Sequence, residues 1–421
     1  MAKRGKLVET IKKVRIMSAV SSDLFIKNAL IFDGYNKDLV EGAIFIQNGV
    51  IESVGRITKP DYLEADKVVD AKGRVVTPGF IDNHFHAYGI GLDMLNLEGR
   101  PKSFVALKAR LRLENALKRG FTTVRDVAGG DIGLASAIAQ GLIVSPNYYY
   151  TGAALSQTGG HGDLRNPEFD VCCADAHTVE VVDGVDNLLR ATRERLRRGA
   201  HAIKLMVSGG VVSLTDPIAI PQYSEEEIRV VTSETARRGS YVCAHAYSPE
   251  AIIHAVKNGV RSIEHANLLD DESANYVKKN NAVIVPTLVT YKAMATHGKD
   301  IGMSKISLEK NTQVLDAGFN AVEIAMKKGI TVGFGSDLMG DLESEQLIGL
   351  QVQHEVQGTL ELLRSITSRN AEILQSNRHG WIREKMTGDL LVLDGNPFED
   401  ASKIWTQTQG RVVIKAGQIT T

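Results

Sequence analysis

The chain has 421 residues, 43% of them hydrophobic and 24% charged, an ordinary globular balance. Its 49 basic and 50 acidic residues leave a net charge of −1, so no global field draws it to nucleic acid or to a membrane surface. Three cysteines (Cys172, Cys173 and Cys243) are too few for a disulfide framework and point to a reducing, cytoplasmic compartment, and no apolar run reaches the roughly 18 residues of a membrane-spanning helix.

Residues 1–22 are locally basic, with Lys3, Arg4, Lys6, Lys12, Lys13 and Arg15 against Glu9. They lack the apolar core of a secretory signal and read as a solvated extension or a helix packing on a neighbouring subunit. Residues 23–78 alternate apolar and polar positions at period two, and Asn48-Gly49 is a strong hairpin signal. The middle of the chain repeats a unit: an amphipathic helix, two polar or basic residues, usually a glycine, then an apolar strand. Examples are "KRGFTTVRDV", "RRGAHAIKLM", "RRGSYVCAHA", "KNGVRSIEHA", "KKNNAVIVPT" and "KKGITVGFGSD". Cations suit a helix C-terminus and glycine takes the left-handed cap. The far end, 388–421, returns to short strands, with a turn at Ala416-Gly417.

Eight strands are expected, at about 75–86, 121–128, 147–155, 202–208, 241–247, 262–268, 282–290 and 330–337. Eight β-then-α units in series predict a (β/α)8 TIM barrel over 79–387. Residues 23–78 and 388–421 are expected to form a small β-sandwich from both termini. A doubly wound sheet is disfavoured, because no glycine-rich phosphate turn follows a strand; "GFGSDLMG" has the wrong spacing.

In such barrels the chemistry sits at the C-terminal ends of the strands. Strand one, "TPGFIDNHFHAYG", presents His84 and His86 on one face, because strand side chains alternate. Strand four contributes Lys204, strand five His245, strand six His265 and strand eight Asp337. Taken singly, each histidine could be a hydrogen-bonded core residue and Asp337 a helix cap. Lys204, inside the apolar "AIKLMV", is harder to dismiss: an ammonium there is unfavourable unless it is paired or loses its proton. Neutral imidazole and carboxylate are good ligands for zinc and similar divalent ions.

The motifs "PGFIDNHFH", "IKLMVSGG", "VCAHAY", "IEHANL" and "GFGSD" together resemble the amidohydrolase superfamily over nearly the whole chain. The resemblance implies a binuclear site: His84, His86 and Asp337 on one divalent ion, His245 and His265 on the other, zinc being the expected metal. Lys204, carboxylated by CO2 to a carbamate, would bridge both. Asp337 would take a proton from the attacking water and pass it to the leaving nitrogen. The stretch "YYYTGAALSQTGGHGD" resembles the branch holding Xaa-Pro dipeptidases (prolidases), arginine/lysine carboxypeptidases and ochratoxin-hydrolysing amidases. "AHAYSPEAI" and "VIVPTLVTY" are most similar to the prolidase-like members. By that resemblance His161 and Tyr247 contact the substrate's α-carboxylate, and His161 joins Asp337 among the expected catalytic residues. On the residues alone, His161 could be an ordinary loop histidine and Tyr247 a rim aromatic. Arg165 is a candidate anion partner or a surface residue.

The expected activity is therefore prolidase-like removal of the C-terminal residue from a dipeptide or N-acyl amino acid. An arginine/lysine carboxypeptidase and an N-acyl-phenylalanine amidase are the alternatives. A mononuclear deaminase would usually lack the bridging lysine, and a non-catalytic binding barrel would be favoured by loss of a ligand, whereas all six are present. The resemblance also implies a homo-oligomer, commonly an octamer. Lys385 and Gly388 depart from the family pattern in the return strand, and Cys172-Cys173, without nearby partner ligands, reads as inert. Residues 340–360 are where side-chain selectivity is expected, without indicating which.

Overall fold

In a computed structural model of the chain, residues 23–57, 65–165, 177–213 and 216–420 are described; the basic segment 1–22 and Cys172-Cys173 lie outside them. The period-two pattern after residue 23 yields β1 (Leu24–Ile31), β2 (Val40–Gln47) and β3 (Val50–Gly55). β1 and β2 pair antiparallel, as do β2 and β3. The β2–β3 turn places Asn48 at φ 51° and Gly49 at φ 79°, the pair of positive values that an Asn-Gly hairpin supplies. β4 (Lys67–Asp70) and β5 (Val75–Pro78) then run parallel to β1.

The strand expected over 75–86 divides at Gly79. Its first half is β5; its second half is β6 (Phe80–Phe85), which pairs instead with β7 (Phe121–Asp126), followed by β8 (Asn147–Tyr150). A side chain at position 79 would collide with Thr122, and the Gly79 amide donates to the Asp389 carbonyl at 2.8 Å. Close approach of two layers thus forces the change of sheet.

β9 (Ala154–Ser156), β10 (Val179–Val181), β11 (Ala202–Met206), β12 (Tyr241–Ala246), β13 (Ser262–His265) and β14 (Val283–Val285) form a parallel sheet in the order β10-β9-β11-β12-β13-β14. The expected strand 147–155 is broken: β8 lies on β7, and β9 lies on β11. The last expected strand, 330–337, is mostly irregular. Val332 bridges to Ile284, and the Asn83 amide donates to the Phe334 carbonyl at 2.9 Å, so this segment joins β14 to β6. The strand expected over 282–290 ends early, since Thr287 turns left-handed (φ 46°) and a helix begins at Leu288.

Helices Val185–Arg197, Glu225–Arg237, Pro249–Lys257 and Asp271–Lys279 alternate with these strands. Their starts are written in the sequence: Ser224 and Asp270 form capping boxes with Glu227 and Ser273, and Ser248 caps ahead of Pro249. After "KNG" Gly259 takes φ 92°, and in "KKNN" Asn281 does the same work at φ 52°. Leu188, Ile228, Val231, Ile252 and Val277 pack on Ile203, Leu205, Val242, Ala244 and Ile263 in one buried cluster. Alternation along β11 and β12 therefore turns Lys204, Met206 and His245 away from the helices.

The far end adds β15 (Leu390–Val392), β16 (Val412–Lys415) and β17 (Gln418–Ile419). β15 lies antiparallel on β5, giving one mixed sheet in the order β17-β16-β15-β5-β1-β2-β3, with β4 beside β1. Ala416 and Gly417 turn β16 into β17 with φ 47° and 74°. Leu24, Ile26, Ile44, Ile46, Val76, Leu390 and Ile414 share one buried cluster, so segments from opposite ends of the chain stabilise each other.

Candidate metal centre and substrate cavity

The ends of β6, β11, β12 and β13 and the segment before Asp337 open into one cavity of about 510 Å³. His84, His86, Lys204, His245, His265 and Asp337 all line it, as do His161 and Tyr247. Asp337 Oδ1 lies 2.9 Å from His86 Nε2 and 3.4 Å from His84 Nε2. One donor atom from each of His84, His86 and Asp337 falls within 4.8 Å of the others. The His84 and His265 rings stand 4.9 Å apart, and the His265 and His245 rings 4.5 Å apart.

Backbone conformation aims these groups. His265 (φ 78°) and Asp337 (φ 51°) are left-handed without being glycine, which costs about 1–3 kcal/mol each and is tolerated where surroundings over-determine it. The Asp337 amide donates to the His84 carbonyl at 2.7 Å. A side chain at Gly335 would overlap the His84 Cβ, so only glycine lets the strand-eight segment approach β6.

Burial holds the His84, His245 and His265 imidazoles well below their ordinary range, and Lys204 reinforces this. Burial also lowers the Lys204 ammonium from its ordinary value. Burial pushes the Asp337 carboxyl up, but His84 and His86 outweigh it and leave it below the usual carboxylate range. The result is a set of neutral imidazoles beside an anionic carboxylate, with ring lone pairs free to bind a cation. Lys204 is 2% exposed, and its Nζ has no hydrogen bond or ion pair among the described residues. A buried amine that no hydrogen bond or close ion pair holds, set among four imidazoles and attracted only through space by Glu264 and Asp337, fits a cation-binding centre better than a packed core.

His161 stacks on His245 with ring centroids 4.2 Å apart and planes 20° apart. Tyr247 stacks on His265 at 5.1 Å and 15°. Arg165 also lines the cavity, where its guanidinium donates to both oxygens of Asp163 at 2.7 and 2.6 Å. Five methionines complete the wall: Met94, Met206, Met294, Met303 and Met339. Their flexible thioethers adapt to varied apolar shapes.

Sequence reasoning missed the groups behind these. Glu264, fully buried, places Oε2 at 2.8 Å from His84 Nδ1 and Oε1 at 2.7 Å from Arg125 Nη2. Both sit in apolar strands, "IEHANL" and "TTVRDV", where the argument applied to Lys204 would have flagged them. Asp126, which burial pushes up to about 6, accepts from the Ala87 amide at 3.1 Å and fixes the chain just after His86. Tyr291 Oη lies 2.8 Å from both Tyr247 Oη and His265 Nδ1. It stands in "VIVPTLVTY", one turn inside a helix whose first residues, 288–290, the sequence reads as the end of a strand.

Residues 75–420 match the amidohydrolase family, and the chain belongs to it. It is a hydrolase acting on C–N bonds. The chain is 33% identical over 395 residues to ochratoxinase of Aspergillus niger, an alignment covering 88% of this chain and 81% of that one. A crystal structure of a prolidase complexed with N-methylphosphonate-L-proline matches with a TM-score of 0.91 at 38% identity, covering 95% of this chain and 100% of the other. A Xaa-Pro dipeptidase with methionine bound in the active site matches at 0.84 and 27%, covering 94% and 99%.

Proposed function

We propose that the protein is a binuclear metal-dependent amidohydrolase that releases the C-terminal residue of a dipeptide or N-acyl amino acid. The observation that carries this is Lys204, an amine 2% exposed and without a hydrogen bond or close ion pair, lining one cavity with His84, His86, His245, His265 and Asp337. Burial favours loss of its proton; the neutral amine would then add CO2, release a second proton to solvent and become an anionic ligand in place of an unfavourable buried cation. His84, His86 and Asp337 would then hold one ion, His245 and His265 the other, and the Lys204 carbamate both. Two such ions, zinc for this donor set, supply Lewis acidity that lowers the pKa of water and polarises a carbonyl.

The chain's own residues do the rest. Asp337, anionic and facing His84 and His86, accepts the proton of the attacking water at its carboxylate and returns it to the leaving nitrogen. His161 and Tyr247, stacked on two of the imidazoles, hold the α-carboxylate of the departing residue. The methionine wall then takes the acyl half of the substrate, which favours apolar acyl groups over charged ones. This arrangement rests on residues 79–387 closing as a (β/α)8 barrel, supported by the bonds that segment 330–337 makes to β14 and β6. Residues 23–78 and 388–421 form the attached β domain, and the assembly is a homo-oligomer.

A panel of Xaa-Pro, Xaa-Arg/Lys and N-acyl-phenylalanine substrates, with and without chelator, tests the reading. Chelator-sensitive hydrolysis is expected, with kcat/KM rising about fourfold per methylene added to a buried acyl chain. Failure on every C-terminal residue by the metal-loaded enzyme contradicts it.

A further inference from the structure

The helix Lys305–Lys327 sends one side chain across to the segment that follows β11. Lys310 Nζ donates to the carbonyls of Gly210 (3.0 Å), Ser213 (2.8 Å) and Asp216 (2.7 Å). An ammonium has three donors, and here all three are engaged by one short stretch of chain. The side chain is 14% exposed and does not line the cavity.

The same stretch is the seat of His161. Ser213 Oγ lies 2.9 Å from His161 Nδ1, and Asp216 Oδ2 lies 3.4 Å from it. Ser213 Oγ donates to Asp216, and the Gly210 amide donates to Asp216 Oδ2 at 3.1 Å. A side chain at Gly210 would run into the His161 ring, so the imidazole lies directly on that backbone. Asp216 is 3% exposed, and although burial raises its carboxyl, His161 and Ser213 outweigh this and leave it below the usual range. The ring's other face is occupied by His245. Between Gly210 and His245, His161 has one orientation, provided the stretch is held in place.

We propose that Lys310 is a positioning residue for substrate binding: by fastening Gly210, Ser213 and Asp216 it keeps the Ser213–Asp216 pair on His161 Nδ1 and so fixes the ring that meets the substrate's carboxylate. The assignment rests on the proposed role of His161 as that carboxylate's partner. It separates two functions of one stretch. Gly209, whose carbonyl lies 3.1 Å from His245 Nε2, faces the metal centre, whereas the Lys310 bonds go to the residues that hold His161.

Steady-state kinetics of the metal-loaded full chain test this, with wild type, Lys310→Met and Lys310→Arg on an N-acyl amino acid and on its C-terminal carboxamide. Lys310→Met is expected to raise KM for the carboxylate substrate about tenfold, the value of a lost charge-assisted bond. Its kcat should stay within about twofold, its metal content should equal wild type, and the carboxamide should be unaffected. Lys310→Arg should recover part of the KM. Ser213→Ala, expected to move KM in the same direction, replaces Lys310→Met if that variant does not fold. A fall in kcat at constant KM, a loss of metal, or an equal effect on both substrates overturns the assignment. If wild type itself does not distinguish carboxylate from carboxamide, the role given to His161 fails first and the Lys310 assignment falls with it.

Discussion

Glu264 stands between His84 and Arg125, with Oε2 at 2.8 Å from the imidazole Nδ1 and Oε1 at 2.7 Å from the guanidinium Nη2. A carboxylate that receives Nδ1–H fixes the His84 tautomer and leaves the Nε2 lone pair on the side facing Asp337, where a cation between the two would take both. Arg125 in turn donates to the Asn83 carbonyl at 2.6 Å and to Tyr241 Oη at 3.1 Å, tying β6, β7, β12 and β13 beneath the site.

Replacing Glu264 by Gln keeps the shape and removes the charge. Metal retention should weaken about 10- to 100-fold, the usual cost of losing such a supporting carboxylate. The buried Arg125 is left without its counter-charge, so stability should fall by about 3 kcal/mol. Metal titration and denaturant unfolding measure the two effects, and a variant with wild-type metal affinity would show that Glu264 serves the core alone.

Tyr291→Phe removes the hydroxyl shared by Tyr247 and His265. His265 Nδ1 keeps Thr287 Oγ1 at 2.8 Å, so metal content should hold. Tyr247 loses its fixed partner, and kcat/KM on carboxylate substrates should drop about fivefold, the equivalent of about 1 kcal/mol.

Asp389 predicts a stability profile. Burial raises its carboxyl, but Lys415 and His379 outweigh this and leave it well below the ordinary value. It accepts from Asn147 Nδ2 at 2.6 Å and from the Ala416 amide at 2.7 Å, joining the terminal sheet to β8. A folded pKa below the unfolded one (about 3.9) means the contribution is complete above that value and is lost as pH falls through the folded one. Asp389→Asn should flatten the acid limb of the stability curve and destabilise the protein by about 1–3 kcal/mol at neutral pH, measured by urea unfolding between pH 3 and pH 7. An unchanged acid limb would rule Asp389 out as its source.

Much of this architecture is local, and local features are legible. Period-two strands, the basic-then-glycine helix ends and the Asn48-Gly49 turn each follow from a few neighbouring residues. The ends of β6, β11 and β12 could be named because alternation fixes which side chain faces inward, whereas on β13 His265 joins Glu264 on the inner side only through its left-handed backbone. The break at Gly79 could not, because it depends on Thr122 approaching from another strand. Segment 330–337 reads as a strand by hydrophobicity, yet its Asp337 turns left-handed to reach His84 on β6 and His86 just beyond it. Glu264 and Arg125 neutralise each other across two strands, a pairing that no linear spacing reveals. Lys310 lies about a hundred residues from the stretch it fastens, and its helix gives no sign of it.

The central claim is that Lys204 bridges two metal ions. Metal content per chain, measured by plasma mass spectrometry on wild type and on Lys204→Ala prepared with CO2 present, tests it most directly. The account predicts close to two ions per wild-type chain and loss of tight binding in the variant, together with loss of hydrolysis. A wild-type value near one, or a Lys204→Ala variant that keeps both its metal and its activity, would contradict it.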